Sequence, residues 1–236
     1  MTMINVLDKG YVRLVDVMGT DLSPVNAARV SYDKESNEMT SKDERLLKFL
    51  AREGHTSPFR HAFLQFEVYA PLMVARQWHK YRIGSTHLEE QDNFDALEAW
   101  NESSRRYITE EPTFYIPGID EWRSKPENSK QGSGASLDPV VGEGLIQDLL
   151  THIEQSEFLY NRAINEYGLC AEQARLFLPA YGMYVRWYWS TSLQGVCHFL
   201  TQRLEHDAQK EIQEYAKAVL ELAKEKFPIS LENLLK

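Results

Sequence analysis

Residues 62–80 constrain the fold most tightly, because two periodicities meet there without a linker. Leu64, Phe66 and Val68 alternate with Gln65 and Glu67, which gives one apolar side and one polar side, as in a half-buried strand. Pro71 then opens a helix, since the N–H it lacks is unpaired in a first turn anyway. That helix begins with the apolar run APLMVA at 70–75, yet Arg76, Lys80 and Arg82 follow within two turns. On a helix, Arg76, Gln77, Lys80 and Tyr81 share one strip. Two readings fit: the cations emerge into water and complement the helix dipole, or they face a pocket holding an anion.

Around this segment the chain mixes both kinds of element. Residues 3–17 read as one or two strands. Ser23-Pro24 gives a helix start with the serine as cap, and Ser41 to Glu44 forms a capping box for a helix that closes on Gly54. The polar stretch 118–136, containing Gly and Ser, reads as a loop. Val141, Leu145, Leu149 and Ile153 recur every fourth position, predicting a long helix. The run MYVRWYW at 183–189 fits either a strand or a helical segment, and periodicity leaves both open. Residues 193–204 and 207–226 look helical.

Composition removes several classes of function. With 236 residues, 43% of them hydrophobic, the chain has enough apolar content for one compact domain spanning 1–236. Lys and Arg total 26 against 35 Asp and Glu, so the overall field repels polyanions and no nucleic-acid partner is expected. No stretch of about 18 apolar residues occurs, so no membrane partner is expected either. The N-terminal residues alternate rather than forming a secretion signal. Two cysteines, Cys170 and Cys197, fit a reducing, cytoplasmic setting. Both stand in helical, apolar contexts with no adjacent base, which reads as inert core thiols rather than nucleophiles.

Two further clusters carry chemistry. NESSRRY at 101–107 sets Glu102, Ser104, Arg105 and Arg106 together: carboxylate, hydroxyl and guanidinium groups suited to a phosphate and a polar ring, or to a solvated loop. Later, Arg175 interrupts an apolar segment, Gln194 and His198 share a helix face at i,i+4, and Arg203 ends that helix. Helix capping by Arg203 and a core histidine at 198 are the plain alternatives. His206-Asp207 is similar to the pair found in metal-dependent nucleotide phosphohydrolases, with His55 and His61 as the further ligands such a site would need.

Taken in order, LDKGYVRLVDVMGTDLSPVNAARVS, GHTSPFRHAFLQFEVYAPLMVARQW, FYIP at 114–117 and the segment from Arg175 make the chain resemble the flavin-dependent thymidylate synthases. The family signature, Arg-His-Arg followed by seven residues and Ser, is broken here. Lys80, Tyr81 and Arg82 occupy the three positions, and the eighth residue after Arg82 is Glu90. If residues 86–100 are mostly an insertion, NESSRRY resumes the family pattern and Ser104 matches the motif serine.

The resemblance implies an α+β fold of mixed helices with a central antiparallel-rich sheet. It also implies methylation of deoxyuridylate to thymidylate, with methylenetetrahydrofolate as carbon donor, reduced FAD as hydride donor and NADPH as reductant, in a homotetramer with shared sites. It assigns Gln77, Lys80, Glu102, Ser104, Arg106, Arg175 and Arg203 to the nucleotide, with backbone groups near Trp78, His79, Ser103 and Arg105. For the flavin it assigns Ser57, Lys80, Tyr81, Arg82, Glu102, Ser192, Gln194 and His198, with Ser31 and His55 as weaker candidates. Ser192 and Gln194 stand where the family has Asn and Arg. Lys80 keeps a cation but loses the two-pronged fork of arginine. Arg203 is the implied catalytic residue, stabilising negative charge on the uracil ring so that carbon 5 becomes nucleophilic. A nonenzymatic nucleotide-binding module is the alternative should Lys80 and Tyr81 have abolished flavin use.

Overall fold

A computed structural model describes residues 2–80, 98–108, 110–127 and 132–236. Tyr81, Arg82 and residues 86–97 of the expected insertion lie outside them.

Five strands form one antiparallel sheet in the order β1-β2-β3-β5-β4: β1 Met3–Val6, β2 Gly10–Met18, β3 Phe63–Pro71, β4 Ala99–Glu102 and β5 Tyr184–Ser192. Eight α-helices accompany it among the described residues: α1 Leu22–Arg29, α2 Ser41–Arg52, α3 Leu72–Lys80, α4 Pro139–Asn165, α5 Ala171–Ala174, α6 Leu193–Arg203, α7 Lys210–Lys224 and α8 Pro228–Leu234. The expected α+β class with an antiparallel sheet is what is observed. All of MYVRWYW but Met183 resolves as strand, because Phe66, Val68 and their neighbours in β3 pair with it from Tyr184 onward. Pairing with a partner strand decides what local periodicity could not.

The two faces of the sheet differ. Leu64, Phe66, Val68, Trp187 and Trp189 are buried on the face against which α3, α6 and α7 pack. The other face carries Glu67, which accepts from the Tyr11 hydroxyl at 2.7 Å and pairs with Arg13. Burial alone would raise the Glu67 carboxyl, but the hydrogen bonds from Tyr11 and Arg13 outweigh it and hold the group below its ordinary range. Tyr11 is pushed up to about 12, by burial first and by Glu67 second.

Several expected boundaries shift. Pro71 ends β3 instead of opening α3, and the Leu72 N–H donates to the Met183 carbonyl at 2.9 Å. Helix α1 begins at Leu22 with Asp21 at its N-cap, so Ser23 lies inside it; the Ser23 hydroxyl accepts from the Thr20 N–H at 3.1 Å. The box of α2 is Thr40 with Asp43, one residue ahead of the expected Ser41 and Glu44. The reason is packing: Asp43 is buried, accepts from Arg29 Nη2 at 2.5 Å and from the Ser36 hydroxyl at 3.0 Å, and so ties α1 to α2. Burial works to raise its carboxyl, but Thr40, Arg29 and Ser36 together hold it at about 2. Gly54, as expected, closes the helix with a positive φ of 69°. Of the four positions predicting α4, Ile153 is buried and Val141 is 50% exposed. Ala99 and Trp100, assigned from sequence to the insertion, belong to β4, where Trp100 stacks on Trp187 at 4.9 Å.

Candidate functional site

Helices α3 and α6 each leave the sheet directly from a strand and meet on its apolar face. Trp78 of α3 is fully buried, stacks on Phe199 of α6 at 4.2 Å and sets its edge against Trp187 and Trp189. Its ring is thus core, and any part it plays at a site falls to its backbone. One residue before it, Gln77 turns toward the C-terminal end of α6, where Arg203 Nη1 donates to the Gln77 side-chain oxygen at 3.3 Å. Arg203 is only 7% exposed, so its charge is held in a low-dielectric setting beside a neutral acceptor.

Both residues line a cleft of about 1060 Å³ bounded by the 114–126 segment, the middle of α4, the end of α6 and the start of α7. The loop expected at 118–136 forms one wall. Its described parts are tied to one another, since Leu137 N–H donates to Trp122 O and Ser124 N–H to Ala135 O, both at 2.8 Å. His206 and Asp207 also line the cleft, whereas His55 packs edge-on against Phe49 at 5.9 Å. Among the described residues, no three His, Cys, Asp or Glu side chains cluster as a metal would require.

The NESSRRY segment lies at the other edge. Arg106 Nη1 is 3.7 Å from Glu172, and Arg175 Nε donates to the Glu172 carbonyl at 3.1 Å. These two arginines, 69 positions apart in number, are therefore neighbours around one residue. Within a single chain both are exposed. Ser104 accepts from Arg106 Nε at 3.2 Å, and the Ser103 hydroxyl accepts from the Arg186 N–H at 3.0 Å. Arg105 donates to the Glu110 carbonyl at 2.6 Å. Glu102 is raised above its ordinary value by burial, opposed by Arg76 and by a hydrogen bond from Trp100. Arg76, His79 and Lys80 at the end of α3 are exposed within one chain.

The thymidylate synthase complementing protein family matches residues 13–229. A flavin-dependent thymidylate synthase of Thermus thermophilus is 41% identical over 228 residues, covering 96% of this chain and 76% of the relative. Another, from Thermotoga neapolitana, is 38% identical over 233 residues, covering 99% and 94%. The chain belongs to the flavin-dependent thymidylate synthase family. Among solved structures, a UMP/dUMP methylase PolB from Streptomyces cacaoi bound with 5-Br dUMP superposes with a TM-score of 0.80 at 26% identity, over 98% of this chain and 96% of that one.

For a flavin-dependent thymidylate synthase, the positions expected to meet flavin divide into two kinds. Gln194 and His198 share the half-buried face of α6, and the buried Gln194 Oε1 has no hydrogen-bond partner. Ser192 is fully buried and caps α6 by accepting from the Gly195 N–H at 3.1 Å. Ser57, in the short 3-10 turn packed on α6, is exposed, as are Ser31 and His55. The thiols need one correction. Cys197 is core, and burial pushes its thiol far up, away from thiolate; Cys170 is exposed at the N-cap of α5, not in the core.

Sequence reading missed Trp122, Arg123 and Glu211, which line the cleft. Glu211 carried a usable signal: it falls on the stripe of α7 with Tyr215, Ala218 and Leu222, all buried, and an acid on an apolar stripe calls for a partner.

Proposed function

We propose that this chain is a thymidylate synthase of the flavin-dependent kind, transferring the one-carbon unit of methylenetetrahydrofolate to carbon 5 of deoxyuridylate. NADPH serves as reductant, the working form is a cytoplasmic homotetramer, and each chain contributes one domain. Family membership supports this reading, and the observation in the fold that carries it is Arg203, buried at the wall of a large cleft and turned to the neutral oxygen of Gln77.

Methylation at carbon 5 needs an electron-rich uracil, which means stabilising negative charge along N3 and its flanking carbonyls. A preorganised guanidinium does this with little reorganisation, and one such donor is worth about 3 kcal/mol. Gln77 fixes the direction of the Arg203 fork. Arg106 and Arg175, paired around Glu172, suit the phosphate. Their exposure within one chain, against the burial of Arg203, is a reason to complete the site with a second copy. Lys80 supplies charge at the same site without bidentate direction.

The chain's residues fit a flavin at the α6 face: the unpartnered Gln194 Oε1 would accept from a donor of the bound group, and His198 lies one turn further along. Ser57, Lys80, Tyr81, Arg82 and Glu102 are the other residues assigned to hold it. Bound reduced flavin supplies the hydride that completes the methyl group. With that donor, carbon 6 needs no cysteine nucleophile, in keeping with the elevated Cys197 thiol.

The test is direct. Purified protein carries a visible flavin spectrum that bleaches anaerobically with NADPH, and forms thymidylate when deoxyuridylate and methylenetetrahydrofolate are added. Colourless protein that binds deoxyuridylate without turnover would establish a binding module instead.

A further inference from the structure

A separate pocket of about 370 Å³ lies between the end of α1, the turn that follows it and the first half of α2, and it shares no residue with the cleft at Arg203. Its floor is apolar: Ala28 and Leu46 are half-buried and packed against the core. Tyr32, 77% exposed, forms one wall. The rest of the lining is cationic, Arg29, Lys34, Lys42 and Arg45, with no carboxylate among the described residues that line it. Arg29 is committed to the buried Asp43, whose Oδ1 accepts from its Nε at 3.0 Å and its Nη2 at 2.5 Å. Lys34, Lys42 and Arg45 are exposed and make no ion pair among the described residues. Three uncompensated like charges around one hollow repel one another, and an anion seated between them removes that repulsion. The rest of the chain makes the hollow unusual, since acids outnumber bases 35 to 26.

The pocket is also built before anything binds. Asp33 takes a left-handed φ of 52°, which aspartate tolerates better than most residues, and its N–H donates to the Val30 carbonyl at 3.1 Å. That turn brings Tyr32 and Lys34 to the same hollow. Asn26 then clamps the following residues, donating to the Ser36 carbonyl at 2.9 Å and accepting from the Ser36 N–H at 2.8 Å. The Ser36 hydroxyl donates to Asp43 at 3.0 Å. Arg29 of α1 and Ser36 of the turn thus hold the one buried acid of α2, so little ordering is left for a ligand to bring about.

We infer that this pocket binds a nucleoside triphosphate, with the ring on Tyr32 above the floor of Ala28 and Leu46 and the phosphate chain among Lys34, Lys42 and Arg45. An aromatic wall over an apolar floor takes a flat ring, and a cationic rim takes phosphates. A chain of three phosphates engages three separate cations at once, where a monophosphate has too short a reach. Size excludes a dinucleotide: ligand sites run from about 300 to 1,000 Å³, and 370 Å³ is near the bottom of that range. Charge excludes a nucleic acid, because the acidic remainder of the chain repels a long polyanion. The site stands whether or not the chain makes thymidylate.

Calorimetric titration of ATP and of inorganic tripolyphosphate, without divalent cations, into the full chain saturated with FAD and deoxyuridylate tests the site. Saturation closes the other nucleotide sites to the probes. ATP should bind, tripolyphosphate should bind about threefold to tenfold more weakly for want of a ring, and rising salt should weaken both. Lys42→Ala combined with Arg45→Ala, both exposed positions, should weaken both probes about tenfold or more. Tyr32→Ala, which keeps the rim intact should the double variant not fold, should bring ATP down to the level of tripolyphosphate and leave tripolyphosphate unchanged. Flavin absorbance and deoxyuridylate affinity should stay at the wild-type level in all variants. Undiminished ATP binding in the folded variants overturns the inference, as does a single-stranded oligonucleotide that displaces ATP. Loss of flavin in step with loss of ATP binding overturns it too, by making the pocket part of the flavin site.

Discussion

The two strand–helix units at the centre of the sheet are built alike and end differently. Strands β3 and β5 are each 9 residues long and run straight into α3 and α6. Their pairing is antiparallel along the full length, Phe63 with Ser192 and Pro71 with Tyr184, so the helices set out from opposite ends and meet at Trp78 and Phe199. Helix α6 starts on a buried serine cap and keeps Arg203 buried in its last turn. Helix α3 starts on a backbone acceptor borrowed from Met183 and ends with Arg76, His79 and Lys80 exposed. The cation that ends α6 is buried among the chain's own side chains, whereas those at the end of α3 are open to solvent within one chain.

That contrast can be broken at its shared contact. Trp78→Ala should cost about 3–5 kcal/mol of stability and loosen both helices; a denaturation midpoint near wild type would show that they do not depend on each other. Arg203→Ala should lower kcat by about a hundredfold or more while flavin absorbance persists. Loss of flavin in proportion to turnover would assign Arg203 to cofactor retention instead. A smaller effect is expected at the cap, where Ser192→Ala should cost about 1 kcal/mol in urea titration with flavin content preserved; flavin loss without loss of stability would make Ser192 a ligand contact. Smallest of all, Lys80→Ala should leave stability within about 0.5 kcal/mol yet raise the KM for deoxyuridylate, and an unaltered KM would separate the end of α3 from the site.

Alternation alone identified β3, since Leu64, Phe66 and Val68 pointed one way. The same signal failed at 183–189 because Val185, Trp187 and Trp189 are buried while Tyr184 on the opposite side is buried too, which masks the period of two. Capping residues were recognisable by type but misplaced by a residue or so, because Asp43 answers to Arg29 and Asp21 to α8, partners far along the chain. Strand β4 is 4 residues long and owes its place to pairing with β5, which leaves little local trace. At the site, Arg106 and Arg175 were named through the family resemblance; nothing local announces that both reach Glu172. Trp122 and Arg123 were hidden in a stretch whose Gly and Ser content reads as plain loop.

Asp21 has a kinetic consequence. Its carboxylate accepts from the Ile229 N–H at 3.0 Å and from the Ser230 N–H and hydroxyl at 2.9 and 2.5 Å, and the first of these bonds spans 208 residues. During synthesis the first helix therefore emerges long before its acid can find the amides it serves, and that acid is 5% exposed in the finished fold. Such high contact order slows the final closure. Nascent chains stalled short of Ile229 should stay more sensitive to protease than the complete polypeptide.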